Sequence, residues 1–189
     1  MVKYAALFLS LPLFAQDETL PYRQIPDYPE TYTAGTVAAR VVDGLGFRFY
    51  WATESLRDQD LSYRPNEEAR TIEETVEHIY GMSFIIVNTI KAIPNQAAPK
   101  VGFVDMRKAA LENFQVASDL LQNSSAEEME KFTMIFQGSS STTEFPFWNL
   151  LNGPIADCLW HTGQIVSLRR SAGNPFNSKV SVLQGKVRE

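Results

Sequence analysis

His78 and His161 are the only two imidazoles in the chain. Asp157 stands four residues before His161, and Cys158 stands three before it. On a helix, positions i and i+4 share a face, so Asp157 and His161 can aim at one point. Two imidazoles and one carboxylate suit a divalent transition ion and leave coordination positions for water or substrate. Zinc or nickel fits this set better than calcium, which prefers oxygen ligands. A structural reading stands beside it: an Asp–His pair at this spacing is also a common surface ion pair, and a lone His in mid-helix is commonly packed. The metal reading requires the helix of His78 to face the helix of Asp157 and His161, which spacing alone does not establish. Gln164, three residues after His161, is either a hydrogen-bond partner for that imidazole or a packing amide. Cys158 is either a ligand or a nucleophile activated by His161, or a small buried hydrophobe, which is the expectation for a single helical Cys. Trp160 and Tyr80 are either walls of a pocket or core, with core expected.

The elements that must position these residues read as helices. From about Thr33, Val37, Val41, Leu45 and Phe49 recur at spacing four, with Ala38, Val42 and Leu56 beside them, predicting an amphipathic helix that ends near Arg57. Gly44 and Gly46 within it cost helix propensity, and either allow close packing or mark a kink. A polar loop from Asp58 to Arg70 follows. Thr71 and Glu74 form a capping box that opens a second helix. Ile72, Val76, Ile79, Ile86 and Ile90 give its apolar stripe, and Pro94 stops it. A third helix is expected from Asp105, as N-cap, to about Gln122, with Ala109, Ala110, Phe114, Ala117, Leu120 and Leu121 as its face. A short helical turn is expected at Ala126 to Lys131. Residues 132–148 alternate differently: Phe132, Met134 and Phe136, then Phe145 and Phe147, around a Gly138–Thr143 turn, predict two extended arms forming a short hairpin. The last helix starts at Trp148 or Pro154 and runs to Ser171, marked by Leu159, Ile165 and Leu168. Arg169 and Arg170 near its end favour the helix dipole, and Gly173 and Pro175 stop it.

The result is an all-α expectation: four helices with one long crossover imply a four-helix bundle. The 189 residues suit one domain, at 44% hydrophobic with a net charge of −5. That balance excludes a nucleic-acid backbone binder and attachment to an anionic membrane surface. Residues 1–15 read as a signal peptide, with Lys3, the apolar run Tyr4 to Phe14, and cleavage after Ala15. The apolar run is too short to span a bilayer, so an exported protein without a stable membrane anchor is expected; the alternative is a cytoplasmic protein with a buried N-terminal segment. One Cys permits no internal disulfide. The domain reading is then 1–15 signal peptide, 16–33 extended lead-in rich in proline, 34–175 helical bundle, and 176–189 a loosely held tail.

Two motifs carry a family resemblance. The first is Leu61-Ser62-Tyr63-Arg64-Pro65, followed by Thr71 to Ile79 with His78. The second is Asp157-Cys158-Leu159-Trp160-His161-Thr162-Gly163-Gln164-Ile165, followed by Arg169-Arg170 and Gly173. Together they resemble the DinB/YfiT-like family over most of residues 34–175. The resemblance implies a four-helix bundle in which the helices of His78 and His161 face one another. It also implies a divalent ion, zinc or nickel, held by His78, Asp157 and His161. Family members most often carry His at the position of Asp157, and related thiol-dependent isomerases carry a carboxylate, usually Glu. The implied activity is a metal-dependent hydrolysis, or transfer of a low-molecular-weight thiol, on a small substrate; monomer and homodimer both stay open, the homodimer belonging with the non-catalytic alternative. Such thiols are mainly cytosolic, so export weighs against thiol transfer. The alternative is a non-catalytic bundle that binds a ligand or a protein, with the His/Asp set structural or vestigial.

Overall fold

A computed structural model describes residues 20–189 of the chain. The expected signal peptide, 1–15, and the first residues of the lead-in lie outside the described residues. In chain order the elements are α1 (Ala34–Thr53), α2 (Asp58–Leu61), α3 (Ile72–Ile90), α4 (Phe103–Gln122), α5 (Ala126–Met129), strands β1 (Thr133–Gln137) and β2 (Thr142–Pro146), α6 (Phe147–Leu150), a π-helical turn (Leu151–Ile155), α7 (Ala156–Ser171), and strands β3 (Val180–Ser181) and β4 (Lys186–Val187). The molecule is mostly helical, with two small hairpins.

Helix α1 packs on α4 and α7, and α3 packs on the same two helices. The four long helices therefore close a ring around a shared core that includes Leu45, Phe49, Ile79, Ile86, Phe114 and Ile165. Phe49 and Phe114 meet edge to face, with centroids 6.0 Å apart. Each such side chain contributes about 1.5–3 kcal/mol through removal of apolar surface from water.

Helix α1 begins where Thr33 accepts from the Thr36 N–H while Thr36 Oγ1 accepts from the Thr33 N–H. It stops at Thr53, short of the expected Arg57. The buried Arg169 guanidinium donates from Nη1 to the carbonyls of Trp51, Ala52 and Glu54, in place of a further helical turn. Val37 and Val41, expected on the buried stripe with Leu45 and Phe49, are exposed; Ala38 and Val42, expected beside that stripe, are buried, and Ala39 joins them. The neighbouring α4 lies on that side, where the Ser118 hydroxyl donates to the Ala39 carbonyl. Gly46 serves close packing and not a kink: a Cβ there would sit 2.4 Å from the Tyr22 ring.

Helix α4 is capped by Gly102, three residues before the first-turn Asp105, so the expected Asp105 cap is corrected. Asp105 instead places negative charge in the first turn, where the helix dipole favours it. On the same helix Leu120 faces solvent, while Met106, Leu111 and Ser118 join the buried face. The two aromatic arms of the crossover pair antiparallel, Thr133 opposite Pro146 through Gln137 opposite Thr142.

The C-terminal tail is not loosely held. Strands β3 and β4 pair, and Val180 packs on Phe47 and Trp51 of α1. The Ile25 N–H donates to the Gly185 carbonyl at 2.9 Å, so lead-in and tail brace one another. Among the described residues, no helix is long and apolar enough to cross a membrane.

Candidate metal centre

Helix α3 starts at its capping box. Glu74 Oε2 accepts from the Thr71 N–H at 2.7 Å, and Thr71 Oγ1 accepts from the Glu74 N–H at 3.1 Å. With the helix phase fixed there, Ile72, Val76, Ile79, Ile86 and Ile90 all point inward. His78 lies beside that stripe, on the edge next to α7.

The route into α7 decides where its ligands point. Helix α6 runs into the π-helical turn, and the chain kinks at Gly153 (φ −97°, ψ −108°) and Pro154. Proline has no N–H to continue the ladder, so the turn widens there. The last helix thus starts at Phe147 and is kinked at Pro154, which decides between the two starts the sequence allowed. Beyond the kink, α7 buries Cys158, Thr162, Ile165 and Arg169, a stripe that is half polar. Leu159 and Leu168, expected on the apolar face, are only partly buried. This phase carries Asp157 and His161 to the edge facing α3.

There the three side chains converge. His78 Nε2 stands 2.7 Å from Asp157 Oδ2, and His161 Nε2 stands 3.4 Å from Asp157 Oδ1. The two imidazole rings are 4.6 Å apart and nearly perpendicular. One ligand atom from each residue can be chosen so that all three lie within 4.8 Å of one another, and the group could hold a metal ion. Their side chains are 23%, 40% and 15% exposed for His78, Asp157 and His161, so an ion could enter from solvent.

Gln164 selects the tautomer of a neutral His161. Its Oε1 lies 2.6 Å from His161 Nδ1. An amide oxygen only accepts, so Nδ1 carries the proton and, in the neutral ring, Nε2 presents a lone pair. That lone pair faces the Asp157 carboxylate. Two electron-rich atoms at 3.4 Å attract only with a cation or a proton between them. Donors on a tetrahedral ion at about 2.1 Å stand about 3.4 Å apart, which the His161–Asp157 spacing meets. The shorter His78–Asp157 contact is a direct hydrogen bond that must open to admit an ion. The donor set therefore fits a metal ion.

Other sequence candidates fall elsewhere. Cys158 is fully buried in the core, and burial, with the Asp157 charge adding to it, pushes its thiol well above the usual range. It is neither ligand nor nucleophile. Tyr80 is core, and its hydroxyl donates to the Pro99 carbonyl. Trp160, expected as core, is 73% exposed and walls a cleft of about 500 Å³ together with His161, Gln164, Pro65 and Arg70. A second cleft of about 510 Å³ opens at His78, between Arg64 and Glu77. Sequence reasoning missed Arg70. Its signal was a cation at the end of the polar loop, directly before the capping box. Comparison with family models, curated proteins and solved structures finds no match for this chain.

Proposed function

We propose that this chain is a metal-dependent enzyme of the DinB-like kind, a four-helix bundle that holds zinc or nickel through His78, Asp157 and His161. One observation carries the reading: Gln164 turns the His161 lone pair toward a carboxylate, in a group that also contains His78. The motifs around His78 and His161 and the ring of four helices support the family assignment. A bound divalent ion supplies a Lewis acid and lowers the pKa of a coordinated water. The chain's own residues do the rest. Asp157 bridges the two imidazoles with its two oxygens, Gln164 holds the His161 tautomer, and Trp160 shields one side of the cleft. The reaction class is hydrolysis or thiol transfer on a small substrate. In the second case the thiol comes from solution, because Cys158 is sealed in the core. The apolar run Tyr4 to Phe14, followed by polar Gln16 to Thr19, supports export.

Elemental analysis of untagged protein tests the reading. About one zinc, nickel or iron per chain is expected in the wild type, and loss in Asp157→Ala. Wild-type protein that stays metal-free after dialysis against zinc and nickel, with its fold intact, would falsify it. A second reading, a non-catalytic binding bundle, is favoured by the 2.7 Å His78–Asp157 hydrogen bond, which satisfies both groups without an ion. In that case His78→Ala alters stability alone, with no metal in either form.

A further inference from the structure

Arg70 occupies an unusual position. It lines both clefts beside the His/Asp/His group. Among the described residues, its guanidinium makes no hydrogen bond or ion pair; its only electrostatic interaction is its field on Glu74. Glu74 is itself engaged by the Thr71 N–H. The neighbouring arginine, Arg64, differs, since its Nη1 donates to the Glu67 carbonyl. An arginine with five donors and no partner, on the wall of a cleft, is equipped for a planar oxyanion.

The two clefts differ in charge. The His78 side carries Glu67, Glu68, Glu74 and Glu77 against Arg64 and Arg70, so it repels anions. On the His161 side, Arg70 is the one formally charged side chain, and Pro65, Trp160 and Leu168 supply apolar walls. An anion with an apolar body therefore fits the His161 side. We propose that Arg70 is the specificity residue of this site, and that the substrate is a small organic acid whose carboxylate pairs with Arg70 while its reacting group reaches His161. The inference rests on the metal reading above and narrows its substrate class.

The test uses full-length protein loaded with cobalt(II), whose visible bands report ligands entering the coordination sphere. The probes are monohydroxamates of malonate, succinate, glutarate and adipate, each compared with its neutral amide analogue. Both members of a pair bind the ion identically, and only the first carries a carboxylate. For at least one chain length, wild type is expected to bind the acid about tenfold more tightly than the amide. Arg70→Gln is expected to bring that ratio to about one, with affinity for the amide unchanged; the surviving cobalt bands show that the exposed-loop variant is folded. Equal affinities in the wild type at all four lengths, or a preference that survives Arg70→Gln, overturns the assignment of Arg70 and leaves the metal centre standing. Absence of cobalt bands in the wild type overturns the metal centre, and the inference with it.

Discussion

At the scale of single residues, the site turns on who holds whose proton. Gln164 takes the Nδ1–H of His161, and only that choice leaves Nε2 free toward Asp157. Partners of this kind tune ligand basicity and orientation, and their loss typically costs about 10–100-fold in metal affinity. Gln164→Ala is accordingly expected to weaken zinc binding by about that factor, measured by competition with a chromophoric chelator. The Gln164–His161 contact lies on an exposed helix face, so the denaturation midpoint of the metal-free protein should stay where it is. A variant that holds zinc as tightly as wild type would show that the Gln164 contact does not tune the metal site.

At the scale of elements, the end of α1 is closed by a buried cation. Arg169 is 1% exposed, and burial pushes its pKa below the usual arginine value, against the fields of Asp60 and Glu54 that favour its charge. It remains a cation because it donates to four carbonyls: Trp51, Ala52 and Glu54 at the end of α1, and Asn174 just beyond α7. The dipole role expected for it on its own helix is thus only part of what it does; it closes α1 as well. Arg169→Met would leave those buried acceptors without donors. A loss of about 3 kcal/mol or more is expected in urea denaturation. Arg169→Lys should rescue little, since an ammonium cannot match the planar fork.

At the scale of the whole molecule, a second polar network joins segments far apart in sequence. Asp60 of α2 is fully buried. It accepts from the Arg57 Nε at 2.9 Å, from the Arg57 N–H at 2.8 Å and from the Asn174 amide at 2.6 Å. The Arg57 guanidinium, aided by the Arg57 N–H and Asn174, holds the Asp60 carboxyl well below the ordinary aspartate value of 3.8 although burial opposes it. Unfolded Asp60 binds a proton near that ordinary value, and folded Asp60 does so only at lower pH. Its stabilisation is therefore complete above the ordinary carboxylate range and declines as pH falls below it. Asp43, raised by burial, acts in the opposite sense: it costs stability as pH rises above its ordinary value. Urea midpoints measured between about pH 6 and about pH 3 should show a shallower acid decline in Asp60→Asn than in wild type, from a lower starting point. Parallel curves for the two proteins would remove Asp60 from the account.

The sequence by itself determined what local chemistry fixes. The Thr71–Glu74 capping box sets the start and phase of α3, and so the inward turn of Ile72 through Ile90. Alternation of Phe132, Met134 and Phe136 marks a strand, and the spacing of Asp157 and His161 places them on one helix face whatever surrounds it. Tertiary structure decided what depends on neighbours. Val37 and Val41 share the spacing of Leu45 and Phe49, yet only the latter pair is buried, because spacing does not say which side α4 covers. The end of α1 at Thr53 depends on Arg169, more than a hundred residues later. The tail gains its order from Phe47, Trp51 and Ile25, none of which lies near it in the chain. The approach of His78 to Asp157 depends on α3 meeting α7, and on the Gly153–Pro154 kink that sets the phase of α7. A contact between residues 79 positions apart is a property of the packed helices, and no local pattern encodes it.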